Sequence, residues 1–188
     1  YQDQAFISGK GGEYPEEYEA RRTTKTGINF LLRPVKISDE RLLKDFFYSL
    51  SNESMHNRFI SGRLDMPHEM LQDYFVVIDY TKVMVMLAVI ERDGAEEIIG
   101  VGQYGINEGK LTAEVALVIR DDYQDKGIGT ELLSHLTYLA KRNGLLGFTA
   151  EVMPENKPAL HMLEKIGFET KKQFTAGVYL FMMAFREK

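Results

Sequence analysis

Three consecutive strand-like runs constrain the fold of this chain more than any other feature of its sequence. The runs "KVMVMLAVIE", "EEIIGVGQYGI" and "TAEVALVIR" lie within residues 82–120, and the turn signals "DGAE" and "NEGK" separate them. Short connections of this kind join antiparallel neighbours, because parallel strands need a long crossover. The sequence therefore predicts an antiparallel meander in the middle of the chain.

Helices and further strands are predicted on both sides of this meander. A hairpin that turns at Gly27 and a helix with Ser38 as its N-cap precede it, and the run "PHEMLQDYF" suggests a second short helix. The clearest helix, residues 127–143, follows it, and then come the strand "GFTAEV", a helix capped by Asn156 and two closing strands. This order predicts an α/β (α+β) fold, with a mixed, largely antiparallel sheet and helices on both faces.

The length and the N-terminal composition predict one domain. Residues 1–16 are polar and Gly-rich, which indicates a flexible N-terminal segment, and residues 17–188 are predicted to form the domain. Because the chain begins at Tyr1 rather than Met, it can also be a fragment of a larger fusion protein.

Charge and cysteine usage exclude several classes of function. The net charge of −5 argues against nucleic acid or an anionic membrane as the main partner. The chain has no cysteine, which excludes disulfides, thiolate zinc sites and a cysteine acyl-enzyme. Its four histidines are scattered without an i, i+4 pair, so no metal site is expected. No apolar run of about 18 residues and no signal peptide are visible, and a cytoplasmic location is expected.

The stretch "DDYQDKGIGT" places two glycines at the predicted start of the long helix. Each glycine inside a helix costs about 1 kcal/mol relative to alanine, so Gly127 and Gly129 call for a reason. A helix N-terminus presents unpaired N–H groups, and the missing Cβ atoms let an anion approach them. The stretch therefore predicts a phosphate site built from backbone donors, with help from Lys126. The alternative is a helix capped by Asp125 with two incidental glycines.

The surrounding pattern resembles the GNAT superfamily of acyl-CoA N-acyltransferases over roughly residues 28–185. The motifs that carry the resemblance are Q-x-x-G-x-G at Gln124, Gly127 and Gly129, and N-x-x-A followed by G-F at Asn156, Ala159, Gly167 and Phe168. The resemblance implies acetyl-CoA (coenzyme A) as cosubstrate, a pyrophosphate-binding glycine loop and a strand that pairs with the pantetheine arm. The implied cofactor contacts are Leu117, Val118, Ile119, Gln124, Asp125, Lys126, Gly127, Ile128, Gly129, Thr130 and Asn156.

Two further segments, residues 32–54 and 66–80, resemble GNAT domains that are fused to acyl-CoA synthetase-like or acetyl-CoA hydrolase domains. Some members of that group acetylate protein lysines, so the resemblance implies a protein lysine as acceptor and a fused acyl-CoA-processing domain as a partner. Two alternatives stay open. The acceptor can be a small amine or amino acid, or the domain can be a non-catalytic module that senses acyl-CoA.

Glu114 is the one carboxylate inside the apolar strand "TAEVALVIR". A strand that is apolar on both faces is expected to be buried, and burial would raise the pKa of Glu114 toward neutrality, as suits a general base. Related lysine acetyltransferases carry a glutamate at this place. The alternative is a structural glutamate, in water or paired with a cation. Without cysteine or a G-x-S-x-G motif, direct attack in a ternary complex is the simplest route.

Several other residues are assigned to structure rather than chemistry. Leu163 stands where many GNAT members have the tyrosine that protonates the leaving thiolate, and it fits the apolar stripe of its helix. The general acid is therefore undetermined. The Met-rich runs "VMVMLAV" and "YLFMMAF" are predicted to fill the core. Tyr179 or Phe181 could instead line the acceptor groove, and His135 and His161 are predicted to be surface or packing residues.

Overall fold

The computed structural model describes residues 14–51, 53–54 and 82–187. The second short helix predicted at "PHEMLQDYF", as well as His56 and His68, lie outside these residues. Within them, no helix combines the length and apolar character that crossing a membrane requires.

The order of elements follows the sequence prediction closely. The strands are β1 (Ala20–Thr23), β2 (Asn29–Pro34), β3 (Val83–Arg92), β4 (Ala95–Ile106), β5 (Thr112–Ile119), β6 (Gly147–Val152), β7 (Phe168–Thr175) and β8 (Val178–Glu187). The helices are α1 (Glu40–Tyr48), α2 (Ile128–Arg142) and α3 (Lys157–Lys165). Short 3-10 turns lie at Glu16–Tyr18, Ile37–Asp39 and Asp121–Tyr123.

The strands form one mixed sheet in the order β1-β2-β3-β4-β5-β6-β8-β7. Strands β3, β4 and β5 pair antiparallel as consecutive neighbours, so the predicted meander is confirmed. The exception to antiparallel pairing is β5 with β6, which run parallel and pair over residues 112–114 and 147–149. Beyond Glu114 the two described strands separate, and this separation opens a gap in the middle of the sheet.

Helix α2 lies close to the centre of the sheet because two β4 residues beneath it, Gly100 and Gly102, have no side chains. A Cβ atom at Gly102 would lie 2.7 Å from the Leu117 side chain and 2.9 Å from that of Leu136. Gly100 is similarly close to the side chain of Leu132. Small residues on β4 therefore let the leucines of α2 reach the sheet, and they fix the height of the helix start above β5.

The core contains most of the predicted Met-rich runs. Met84, Met86 and Met183 are buried, as predicted, but Met182 is 43% exposed. Phe181 is a fully buried core residue, so the alternative that it lines the acceptor groove is wrong. Leu163 is buried in the apolar stripe of α3, as its spacing indicated.

The predicted N-cap of the first helix is wrong. Ser38 lies inside the 3-10 turn that precedes α1, and Asp39 occupies the N-cap position. The buried carboxylate of Asp39 accepts two hydrogen bonds from the Arg33 guanidinium, at 2.7 and 2.8 Å, and one from the backbone N–H of Lys36 at 2.8 Å. Because Arg33 comes from β2, this ion pair ties the start of α1 to the sheet. Local sequence does not reveal such a partner.

Candidate active site

A cavity of about 420 Å³ lies where the end of β5, the loop after it and the start of α3 meet. Nine of the eleven residues that the sequence predicts as cofactor contacts line it: Leu117, Val118, Ile119, Gln124, Asp125, Gly127, Gly129, Thr130 and Asn156. Lys126 does not line the cavity, and Ile128 is 1% exposed in the core. The separation of β5 from β6 lies beside this cavity, because Leu117, Val118 and Ile119 belong to the part of β5 beyond Glu114.

The N-terminus of α2 faces the cavity without a cap. Gly127 occupies the N-cap position with a left-handed φ of +91°, and no side chain in the described part of the chain caps this end. The first backbone bond of the helix runs from the N–H of Glu131 to the carbonyl of Gly127 at 3.1 Å, so the N–H groups of residues 128–130 precede it. A Cβ atom at Gly127 would meet no atom of the described residues within 4 Å. The alternative reading, with Asp125 as the cap, is therefore wrong.

The loop that leads to this helix is held in place by Gln124. Its amide nitrogen Nε2 donates to the carbonyl of Ile119 at 3.0 Å and to the hydroxyl of Ser54 at 3.1 Å. One turn earlier, Asp121 accepts the backbone N–H of Ser51 at 3.1 Å. Although burial opposes it, hydrogen bonding from Ser51 and Ser54 lowers the pKa of Asp121 below its ordinary value. These two hydrogen bonds of the Gln124 side chain thus hold the loop in position.

The charge of the cavity lining favours backbone donors over side chains for holding an anion. Three acidic residues, Glu53, Asp125 and Glu155, line the cavity, and none of its described lining residues is a lysine or arginine. The nearby Arg120 is engaged by Asp122 at 2.7 Å and by Glu97 at 3.3 Å. An anion in this cavity would therefore depend on the open start of α2.

The start of α3, on the other wall, is capped by its own sequence. The carboxamide oxygen of Asn156 accepts the backbone N–H of Ala159 at 3.3 Å, which confirms the predicted cap. Pro158 lies in the first turn, where its missing N–H leaves no donor unsatisfied.

Several lining residues were not predicted from the sequence. Those on α3, Pro158, His161 and Met162, follow from the helical spacing once Asn156 is placed at the cavity, so a signal for them existed. Glu53 and Ser54 carry no such signal, since Ser54 lies 70 residues before its partner Gln124. Tyr123 and Glu155 also line the cavity and flank predicted residues.

Glu114 is exposed, and the prediction that its strand buries it is wrong. It lies opposite Gly105 on β4, which offers no side chain to cover it, and opposite Thr149 on β6 at the last pair before the strands separate. Burial therefore does not supply the desolvation on which the predicted pKa shift rested. Glu114 does not line the cavity, but it lies at the start of the gap that leads to it.

The two described histidines have different surroundings. His135 is buried, its Nε2 donates to the carbonyl oxygen of Tyr18 at 2.7 Å, and burial lowers its pKa. It is a packing residue, as predicted. His161 is exposed and lies at the edge of the cavity. Across residues 14–51, 53–54 and 82–187, no cluster of three or more histidine and acidic side chains is placed to hold a metal ion.

Two relatives align with most of this chain. It is 30% identical over 140 residues to an acetyltransferase of Pseudomonas aeruginosa, a match that covers 74% of this chain and 72% of that protein. It is also 30% identical over 145 residues to the acetyltransferase Pat of Mycolicibacterium smegmatis. That second match covers 76% of this chain but 42% of the relative, which is a much longer protein.

The fold is similar to solved acetyltransferase structures. The GNAT domain of S. lividans PAT superposes with a TM-score of 0.79 at 26% identity, covering 92% of this chain and 99% of that domain. The structure of yncA from Salmonella typhimurium, which contains its cofactor acetyl-CoA, superposes with a TM-score of 0.62. It shares 18% identity and covers 85% of this chain and 94% of its own, so it shows the fold alone. Residues 45–168 match the Acetyltransferase (GNAT) family. The chain therefore belongs to this family and is an acyl-CoA-dependent N-acetyltransferase.

Proposed function

We propose that this protein transfers the acetyl group of acetyl-CoA to an amine, and that the amine is the side chain of a protein lysine. The observation that carries the proposal is the uncapped start of α2 at a cavity that opens beside Glu114. Acetyl-CoA supplies the activated acetyl group as a thioester. The residues of this chain bind it, orient the amine and remove a proton.

The cavity fits a pyrophosphate and its pantetheine arm. The N–H groups of residues 128–130 precede the first backbone bond of α2 and lie at the positive end of its dipole. Among the described strands, β6 pairs with β5 over residues 112–114 and not over residues 115–118, so the peptide groups of this later part suit the amides of pantetheine. Cofactor contacts are therefore proposed from the nine predicted residues that line the cavity, and from the backbone of Lys126 and Ile128.

The amine must lose a proton before it attacks. A lysine side chain has a pKa of about 10.4, so its neutral form costs about 4.6 kcal/mol at pH 7. We assign the removal of this proton to Glu114, whose carboxylate lies where the gap between β5 and β6 begins. In the free protein this carboxylate is exposed, and a bound acceptor would cover it. The substrate would thus provide the desolvation that the strand does not.

The surroundings of Glu114 suit a cationic acceptor on a large molecule. Thr149 and the half-buried Glu151 lie on the same face of the sheet as Glu114, because they occupy alternate positions of its neighbour β6. Two carboxylates on one open surface attract an ammonium group, and the exposure of Glu114 leaves room for a polypeptide. A protein lysine satisfies both conditions.

The test is the pH–rate profile of Glu114→Gln on a lysine peptide. The variant keeps the shape of the side chain and removes the base, so turnover at neutral pH should fall by about 10²–10⁴. Acetyl-CoA affinity should hardly change, because Glu114 does not line the cavity. The loss should shrink at high pH, where more of the lysine is already neutral. Glu91→Gln, at an exposed glutamate of β3, is the matched control and should behave as the wild type.

Three results would contradict the proposal. Parallel profiles for wild type and Glu114→Gln would assign proton removal to another group or to water. Faster acetylation of free amines than of lysine peptides would replace the protein acceptor with a small molecule. Tight acetyl-CoA binding without turnover of any amine would indicate an acyl-CoA-sensing module instead.

A further inference from the structure

One buried acceptor atom near the proposed reaction centre has no hydrogen-bond partner among the residues that the structure describes. The carboxamide oxygen Oε1 of Gln103 on β4 is buried and accepts no hydrogen bond from any described residue. Buried polar side-chain atoms in native proteins nearly always have a partner, so an unsatisfied one calls for an explanation. A ligand that donates a hydrogen bond at this position is such an explanation.

The register of the sheet places Gln103 beside Glu114. Gln103 pairs with Ala116, and Gly105, two residues further along β4, pairs with Glu114. Directly opposed residues point to the same face, so the side chains of Gln103 and Glu114 are diagonal neighbours there. Between them lie a glycine and an alanine. Of the described residues, the one that a Cβ atom at Gly105 would approach is Val83, whose side chain would lie 4.0 Å away. The missing side chain of Gly105 therefore leaves space between the two polar groups.

We propose that Gln103 binds the acceptor nitrogen and selects amines, in an inference that rests on the proposed function of Glu114. An acceptor ammonium group between the two side chains donates one N–H to Oε1 of Gln103 and gives a second proton to the carboxylate of Glu114, which leaves a neutral amine. Its lone pair then forms the bond to the acetyl carbon, while the C–S bond breaks and the electron pair leaves with the thiolate. The acylated nitrogen releases its second excess proton to solvent and keeps the N–H that Gln103 accepts, and the thiolate takes up a proton from solvent.

The same arrangement predicts a preference for nitrogen over a hydroxyl group. An ammonium or amine can donate to Gln103 and Glu114 at once, whereas an alcohol has a single hydrogen and can satisfy one of the two. An alcohol that is bound to Glu114 would leave Oε1 of Gln103 buried and unpaired. Gln103 is thus assigned a specificity role that Glu114 alone would not fulfil.

The test compares Gln103→Met with the wild type on an amine that the wild-type enzyme acetylates. Methionine has a similar length and no hydrogen-bond acceptor of comparable strength, so the KM for the amine should rise about tenfold or more. Acetyl-CoA affinity and the shape of the pH–rate profile should stay unchanged. The melting temperature should hold or rise, because the variant removes an unsatisfied polar atom, whereas loss of a structural contact would lower it. Gln173→Met, at an exposed glutamine of β7, is the matched control and should change none of these quantities.

A second variant, Gln103→Glu, and a second readout, the melting temperature, distinguish loss of the acceptor oxygen from loss of a structural contact. Gln103→Glu restores an acceptor oxygen, so it should recover a KM within a few-fold of the wild type. An unchanged KM in Gln103→Met, or a lowered melting temperature without recovery in Gln103→Glu, would overturn the inference. If Glu114→Gln shifts the pH–rate profile while Gln103→Met has no effect on KM, this inference alone fails. If Gln103→Met raises KM while the Glu114→Gln profile stays parallel to the wild type, the base assignment alone fails.

Discussion

The two helices that border the cavity begin in opposite ways. Helix α2 starts at Gly127 and leaves its first N–H groups without a side-chain cap. Helix α3 starts at Asn156, whose carboxamide closes the first turn. Both helix starts face the same cavity. A difference in solvent exposure or in surroundings therefore does not explain why one start is capped and the other is not. The first N–H groups of α2 can donate hydrogen bonds to a ligand, whereas the N–H of Ala159 at the start of α3 already donates to Asn156.

Packing explains why α2 tolerates an open end. A side-chain cap stabilises a helix by about 0.5–2 kcal/mol, and α2 forgoes this contribution. It spans 15 residues and buries eight of them, including Leu132, Leu133 and Leu136. Helix α3 spans nine residues and buries two, Ala159 and Leu163. The longer helix depends on the core for its stability, whereas the shorter helix depends on its cap.

The largest expected effect comes from removing the pyrophosphate from the ligand. S-acetylpantetheine keeps the thioester and the arm that we assign to β5, but it has nothing to offer the open start of α2. Two lost hydrogen bonds to a charged group correspond to a loss in affinity of about 100-fold or more relative to acetyl-CoA. Calorimetry on the wild type measures it. Equal affinity for the two ligands would mean that the open helix end holds no phosphate.

A smaller effect is expected from removing the cap of α3. Asn156→Ala should lower the free energy of unfolding by about 1 kcal/mol, because the N–H of Ala159 loses its acceptor. Denaturant unfolding measures this change, and Asn156→Ser, which keeps a capping oxygen, should restore most of the stability. Any loss in acetyl-CoA affinity should be smaller than that caused by a change at Gly127. If Asn156→Ala weakened binding strongly at unchanged stability, Asn156 would be a ligand contact first and a cap second.

Local patterns in the sequence predict most of the fold. The meander, α2 and the closing hairpin each carry their own signals of turn residues and apolar spacing, so their existence and order were predictable. The N-cap of α1 was not, because the carboxylate of Asp39 is held by Arg33 from another strand. The prediction that Glu114 is buried was wrong for a related reason. The neighbouring strands decide whether a strand residue is covered, and here Gly105 of β4 has no side chain and β6 separates from β5 beyond Glu114.

The residues of the candidate site also differ in how well the sequence predicts them. The glycine loop was predictable because all its parts lie within a few residues of one another. Glu53 and Ser54 were not, because they join the loop from far away in the sequence. Gln103 carried no signal, because the strand register that makes it a diagonal neighbour of Glu114 joins two different strands. Sequence thus locates the part of the site that one segment builds and misses the parts that several segments share.

The central claim is that backbone donors at the open start of α2 bind the cofactor, and a pair of glycine variants tests it most directly. Gly127 and Gly144 flank α2 with similar left-handed φ angles of +91° and +84°, and in the described part of the chain a Cβ atom at either would meet nothing within 4 Å. Gly127→Val and Gly144→Val therefore impose comparable backbone strain, but only Gly127 lines the cavity.

The measurement is the acetyl-CoA affinity of the two folded variants by calorimetry. We expect Gly127→Val to bind at least about tenfold more weakly than the wild type, a difference of about 1.4 kcal/mol, and Gly144→Val to bind as the wild type does. Equal affinities in Gly127→Val and the wild type would contradict the account, because a side chain at the open helix end would then obstruct nothing.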